Sequence, residues 1–513
     1  MRSPVLRDST ALSNACPRLA LNAFMRTGCR TMALALALLS LIYGRLASAQ
    51  GGGATDLANP PERKSPDGEL STTLTVVYSD NNIGGKSVHL RNYEGMLTGP
   101  TLRVRPGQTL NVLLRNNLPP EPPNGARHPA ADASQNPPHG FNTTNLHTHG
   151  LHVSPVGNSD NVFLELGPGQ EFPLEIKIPR NHHPGTFWYH AHKHGSVALQ
   201  LASGMAGALI VEGGLDDVPA IKCARDRVMV LQQIAYDDQG QVEKSYYDQP
   251  GRPAKTTING RVVPEIQMRP GEVQRWRMIH AGIQRELNLT LDGHQLNEIA
   301  CDGIALGTIT PRPAILLCPG YRSDVLVQAQ RKGQYTLKAV PVAREIALFE
   351  EVRAVEALAT VVVDGDPVNM KLPTEDDLKD LAPFRPIDQV QGPTQEVTFN
   401  IANGVYQVNG HEFDPNDPNL IRTLKLGAAQ EWHVAAQTNV HPFHIHVNPF
   451  EVIKRDGSGK IIDRVWRDTF VVTKTSDFYF RTRYDKYIGR SVLHCHNLFH
   501  EDRGMMQIIE IMP

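Results

Sequence analysis

Apolar and polar residues alternate along much of the chain, as at Leu74, Val76 and Tyr78, while long stretches with a helical period are scarce. A period of two puts successive side chains on opposite faces of an extended strand, so the pattern predicts sheets with one face buried. One local pattern recurs. Leu102 to Leu110 reads LRVRPGQTL, Ile266 to Gln274 reads IQMRPGEVQ, and a degenerate copy, Leu424 to Trp432, reads LKLGAAQEW. Each predicts a strand, a turn and a second strand. Intervals well over a hundred residues point to three copies of one domain and not to a solenoid. The expected fold is all-β, with three antiparallel Greek-key sandwiches.

Composition sets the boundaries. Residues 50–70 are rich in Gly, Pro and charge and predict a flexible N-terminal segment. The first domain is expected over 71–213, the second over 214–390 and the third over 391–513. Asp376 to Pro393 reads as an acidic, proline-punctuated connector. The proline-rich stretch from Leu118 to Gly140 reads as a surface loop.

The first 49 residues read as an address. Arg26 and Arg30 precede an apolar run from Met32 to Tyr43, then Ala47-Ser48-Ala49, a small-residue cleavage pattern. Cleavage after Ala49 is expected, with Met25 or Met32 as alternative starts. The run is shorter than the roughly twenty residues a membrane helix needs, so a soluble protein, periplasmic or secreted, is expected. Without the leader's six arginines and one aspartate, the net charge moves from -2 to -7. No long basic run suggests nucleic acid. Cys16 and Cys29 leave with the leader, and an oxidising compartment permits disulfides. The expected pair is Cys301 with Cys318, leaving Cys223 as a free buried thiol.

The candidate chemistry changes this picture most. His494 to Met506 reads HCHNLFHEDRGMM. In a strand His494 and His496 share one face and Cys495 points to the other, so one strand can serve two metal sites. A thiolate, the imidazole of His500 and the distant thioether of Met505 make the ligand set of a blue-copper centre that lacks one imidazole. HPFHIH, from His441 to His446, offers it: His441 would face Cys495. Three further His-x-His pairs stand at His147 and His149, His190 and His192, and His444 and His446. A lone pair of this kind is usually a solvated face. Four of them, with a cysteine inside one, could bring eight imidazoles together around about three copper ions. The remaining histidines read as surface or hydrogen-bonded residues, with His152 and His194 as candidates for supporting a ligand.

These four clusters, in this order and spacing, resemble the multicopper oxidases, and the HCH segment with its downstream methionine is similar to the laccase-like three-domain members. The resemblance implies cupredoxin domains and four copper ions. It gives one type 1 ion to His441, Cys495, His500 and axial Met505, and one type 2 ion to His147 and His444. It gives the two type 3 ions to His149, His190, His192, His446, His494 and His496. The trinuclear group would then lie between the first and third domains, with the middle domain as spacer and substrate wall. The resemblance also matches Asp160 and Glu501 to acidic residues that supply protons.

The activity so implied is one-electron oxidation of phenols or aromatic amines at type 1 copper, entering at His500. It would be coupled through Cys495 to four-electron reduction of O2 to water. The expected partners are a small reducing substrate and O2, with no membrane or nucleic acid, and a monomer is expected. Oxidation of Cu(I), Mn(II) or Fe(II), with a role in metal tolerance, is the alternative. The mature chain lacks a Met-rich insert that would collect Cu(I), which favours the laccase-like reading. A copper nitrite reductase would not carry the full eight-histidine set, and a non-enzymatic copper protein would be expected to lose ligands.

Overall fold

The computed structural model describes residues 56–65, 68–121, 136–242, 254–348 and 354–513. The expected leader, 1–49, and most of the proline-rich stretch after Glu121 lie outside the described residues.

Three sandwiches follow one another in the unit that begins at Asp56. In the first, a four-stranded sheet (Lys86–Tyr93, Glu69–Ile83, Thr109–Asn116, Glu171–Lys177) faces a five-stranded one. The strands of the second sheet are Glu62–Lys64, Thr101–Val104, Ala206–Val211, Gly185–His190 and His147–His149. The middle and third sandwiches each pair a six-stranded with a five-stranded sheet, and their strand orders match element for element. Helices in the described residues are short, the longest being Val197–Ala202, and none is long and apolar enough to cross a membrane.

The sequence repeat is the crossing point between sheets. Thr101–Val104 lies in one sheet and Thr109–Asn116 in the other, and Glu265–Met268 with Val273–His280, and Arg422–Lys425 with Ala429–Ala436, do the same. Gly107, Gly271 and Gly427 take φ of 87°, 80° and 80° at this turn, a conformation that glycine adopts without a Cβ penalty. The shared glycine places the third copy at Arg422–Gln430, two residues ahead of the frame that the sequence suggested.

The sheets are mixed and not purely antiparallel. Glu69–Ile83 runs parallel to Thr109–Asn116, Arg225–Ile234 to Val273–His280, and Gln395–Ala402 to Ala429–Ala436. Between the members of each such pair the chain visits the opposite sheet, and the crossing returns it in its original direction. Within the N-terminal segment, residues 56–65 are held against the sandwiches. Glu62–Lys64 pairs with Thr101–Val104, Leu57 is buried in the middle core, and the Asp56 carboxylate pairs with Arg225 and Arg227. Burial of one leucine side chain is worth about 1.5–3 kcal/mol and adds to the strand pairing and the ion pairs in holding this short segment.

Each sandwich has a core with one fully buried tryptophan, Trp188, Trp276 and Trp432, and the first core continues into the middle domain through Val228, Val230 and Ile279 and into the third through Leu498. The indole N–H of Trp432 donates to the Tyr484 hydroxyl at 2.7 Å, so its polar handle is satisfied inside the core.

The described residues contain no disulfide. Cys301 closes Leu296–Cys301 in the six-stranded sheet of the middle domain, and Cys318 follows Ile315–Leu317 in the five-stranded one. The thiol of Cys301 instead faces the Trp466 carbonyl at 3.7 Å, and the expected Cys301–Cys318 pair does not form. Cys223 is exposed, not buried, because it ends the surface turn Pro219–Lys222.

Candidate metal centre

Two antiparallel strand pairs carry the histidine clusters. His147 lies opposite His190 in one, and His444 lies opposite His494 in the other. Directly opposed residues share a face, so each pair directs its imidazoles to one side. On the reverse face of the second pair, Phe443 lies opposite Cys495, and His441 has the same parity. The alternation read from the sequence thus divides Val440–Ile445 and Gly489–Cys495 between two clusters.

The smaller cluster contains His441, Cys495 and His500. Cys495 Sγ lies 3.4 Å from His441 Nδ1 and 3.7 Å from His500 Nδ1, and the two Nδ1 atoms are 3.2 Å apart. Met505 is fully buried in the same core, and its carbonyl accepts from the Cys495 N–H at 3.1 Å. His441 is held from behind, with Nε2 donating to the Thr438 carbonyl at 2.8 Å. His500 is 8% exposed, whereas His441 and Cys495 are fully buried, so His500 is the edge open to solvent.

The larger cluster brings eight imidazoles from the first and third domains together, all buried. His494 Nε2 lies 3.3 Å from both His192 Nε2 and His446 Nε2, and His149 Nδ1 lies 3.3 Å from His496 Nε2. Nε2 of His147, of His190 and of His444 is buried with no hydrogen-bond partner. Several of the opposite ring nitrogens are engaged. His147 Nδ1 lies 3.0 Å from both Asp160 oxygens, His190 Nδ1 donates to the Ala191 carbonyl at 2.8 Å, and His444 Nδ1 donates to the Asp468 carbonyl at 2.7 Å.

These orphaned nitrogens test whether a metal fits. An unpaired buried polar atom costs about 1–3 kcal/mol, and several facing one another repeat that cost unless a cation takes their lone pairs. Burial holds the imidazole pKa values far below their usual range, to about 4 for His192, His441 and His494 and about 3 for His444. Neutral imidazole is the form that binds metal. Burial likewise pushes the Cys495 thiol well up, and only a coordinated cation would make it a thiolate here. A buried thiol with two imidazoles and a nearby methionine, beside an all-imidazole cluster, fits copper.

Asp468 borders the imidazoles, and three further carboxyls near them have raised pKa values. Burial raises Asp160 to about 7, against the Thr148 N–H that donates to it at 2.8 Å. Burial raises Glu501 to about 7, with His192 opposing. Its oxygens lie 3.0 Å from His494 Nδ1 and 3.4 Å from His192 Nδ1, close but not aligned as hydrogen bonds. Asp502, which the sequence reading missed, is raised to about 8 by burial and by Glu501. It accepts from the N–H groups of Gly195, Val197 and Ala198 and so ties the third domain to the turn after HAHKHG. Asp468 was also missed, since nothing in its local spacing marks it. His152 Nδ1 donates to the Val447 carbonyl at 2.7 Å and His194 Nε2 lies 3.0 Å from the Asn136 side-chain oxygen, and neither contact is to a ligand ring or a carboxylate.

Ten imidazoles held neutral fix a pH dependence. Each binds a proton in the unfolded chain near pH 6.5 and much less readily when folded, so its contribution is complete above about 6.5 and is lost as pH falls. The three raised carboxyls act in the opposite sense between about pH 4 and 8, and they are fewer. The metal-free chain is therefore expected to lose stability steadily from pH 7 to pH 5. A thermal midpoint that rises over that interval would contradict the buried, neutral state of the rings.

Comparison with known proteins gives the same assignment. Three domain models, each described as multicopper oxidase, match residues 139–215, 229–361 and 390–513. A multicopper oxidase from Staphylococcus haemolyticus is 26% identical over 82% of this chain and 83% of its own length. A laccase from Bacillus subtilis is 24% identical over 82% and 90%. The solved structure of a Campylobacter jejuni multicopper oxidase, described as a metallo-oxidase, superposes with a TM-score of 0.74 at 24% identity, covering 90% of this chain and 96% of that one. With its three cupredoxin-like sandwiches and its paired histidine clusters, the chain belongs to the multicopper oxidase family.

Proposed function

We propose that this oxidoreductase is a laccase-like oxidase of phenols or aromatic amines, holding one type 1, one type 2 and two type 3 copper ions. In this reading the type 1 ion takes His441, Cys495, His500 and Met505, and the type 2 ion takes His147 and His444. The type 3 pair takes His149, His190, His192, His446, His494 and His496. The observation that carries it is the set of buried ring nitrogens facing one another without partners. Bound copper would supply one-electron redox chemistry at the first cluster and reduction of O2 to water at the second.

The chain's own residues define how the two clusters communicate. His500 opens onto a cavity of about 440 Å3 bordered by Arg344, Leu348, Val440, Lys474 and Asn497, room for a small aromatic reductant beside the exposed imidazole edge. Cys495 is bonded through the main chain to His494 and His496, which gives electrons a covalent path between clusters. Asp160 and Glu501, with pKa values near neutrality, can hold and release protons where O2 reduction consumes them. The leader supports export, and we place the mature protein in the periplasm or outside the cell.

A metal-oxidising role on Cu(I), Mn(II) or Fe(II) is the second reading, favoured by the likeness to the Campylobacter jejuni metallo-oxidase. The copper-loaded protein should be assayed under O2 with a phenol, an aromatic amine, Cu(I), Mn(II) and Fe(II). Faster turnover of the organic reductants supports the laccase-like reading. Turnover confined to the metal ions would replace it with the second.

A further inference from the structure

The middle domain contributes no histidine to either cluster, yet one of its side chains is built into the larger one. Arg322, in the segment PGYRSD, is 1% exposed and grips Asp468 of the third domain with both terminal nitrogens, the Nη1–Oδ1 distance being 2.8 Å. It also donates to the carbonyls of Gly320 and Asp302 in its own domain and of Thr186 in the first. One guanidinium therefore joins all three domains.

Asp468 passes this grip on to two rings. Its Oδ1 lies 3.4 Å from His149 Nε2, and its main-chain carbonyl accepts from His444 Nδ1 at 2.7 Å. The Thr469 hydroxyl donates to Asp468 Oδ1 at 2.9 Å and lies 3.3 Å from His149 Nε2 and 3.2 Å from His444 Nδ1. The two rings are stacked with centroids 4.0 Å apart. Asp302 accepts from the main-chain N–H groups of Asp468 and Thr469 and pairs with Arg467, which fixes the segment from the other side. Gly150, directly after His149, makes room: a Cβ there would lie 2.4 Å from Asp468 Oδ2 and 2.5 Å from Arg322 Nη2.

We propose that Asp468, gripped by Arg322, is a positioning residue of the larger cluster. It holds the Nε2–H tautomer of His149, leaving Nδ1 toward His496, while its carbonyl holds Nδ1–H of His444 and leaves Nε2 toward the cluster. A hydrogen bond to one ring nitrogen decides which nitrogen offers its lone pair. The middle domain is then part of the ligand frame, a role beyond the spacer and substrate wall that the family resemblance implies. The assignment rests on the ligand set proposed above only for its consequence on copper.

The test compares wild type with Asp468→Asn, which keeps the shape of the native residue, and with Arg322→Lys, which keeps its charge. In Asp468→Asn one acceptor oxygen must serve four donors, two from Arg322, one from Thr469 and one from His149. Ring-nitrogen NMR of histidine-labelled, metal-free protein should show a single Nε2–H tautomer for His149 in wild type and its loss in Asp468→Asn. His444, bonded to a main-chain carbonyl, serves as the internal control. Copper affinity at the larger cluster should fall by about 10- to 100-fold, while the visible absorption of the smaller one is kept. Arg322→Lys, which keeps the charge and loses the fork, should change both readouts in the same direction and by less, and it decides the matter if Asp468→Asn does not fold. An unchanged His149 tautomer and unchanged copper retention would overturn the proposal. Because the tautomer is read without metal, a wild-type chain that binds no copper at the larger cluster would overturn the ligand set alone.

Discussion

Cys495→Ser is expected to abolish both the intense visible absorption of the copper-loaded protein and its oxidation of any reductant, while leaving the larger cluster able to hold metal. The thiol is fully buried, 3.4 Å from His441 and 3.7 Å from His500, and it is the only sulfur bonded through the main chain to two residues of the histidine cluster. Serine removes the soft ligand and the source of thiolate-to-copper charge transfer. The packing change is one atom, so folding should survive. Absorption spectra with parallel turnover assays check the result, and a blue Cys495→Ser protein would place the chromophore elsewhere.

Glu501→Gln should act on the other half of the reaction. The carboxyl is fully buried, stands against His494 and His192, and has a pKa raised to about 7, so at neutral pH it is poised between holding and releasing a proton. Glutamine keeps the shape and cannot titrate. Reduction of the first cluster by substrate should be nearly unchanged, and reoxidation by O2 should slow by about 10²- to 10⁴-fold, the usual cost of removing a positioned proton donor. The colourless, reduced form would accumulate during turnover. Asp160→Asn should slow the same step, since Asp160 has a similar pKa and holds His147. Stopped-flow reoxidation of fully reduced protein is the measurement. Wild-type rates from acid to neutral pH would reduce Glu501 to a structural charge.

The site was legible in the sequence wherever its logic is local. Strand alternation alone separates Cys495 from His494 and His496, and the same parity sends His441 toward the thiol and His444 and His446 away from it. The repeat was visible because each copy has to cross between sheets through a turn, and in the first two Arg-Pro-Gly supplies it. Contacts formed only by folding left no such trace. Asp468 stands 319 residues from His149 and 146 from Arg322, and Asp502 stands 307 from Gly195. No spacing rule joins residues so far apart. The cysteine pairing failed because the short separation of Cys301 and Cys318 in sequence conceals that the Cys301 thiol turns to the Trp466 carbonyl, 165 residues away. Parallel strand pairs were missed because alternation reports burial and not direction.

Copper quantification with electron paramagnetic resonance on reconstituted wild-type protein addresses the central claim most directly. The ligand set predicts about four copper ions per chain, with one giving the blue absorption and a narrow hyperfine pattern. A second should be visible as an ordinary square-planar signal, and the remaining two should be silent through coupling in the oxidised state. Binding that stops at about one ion per chain, or a full complement with every ion visible, would contradict a three-metal cluster at the eight histidines.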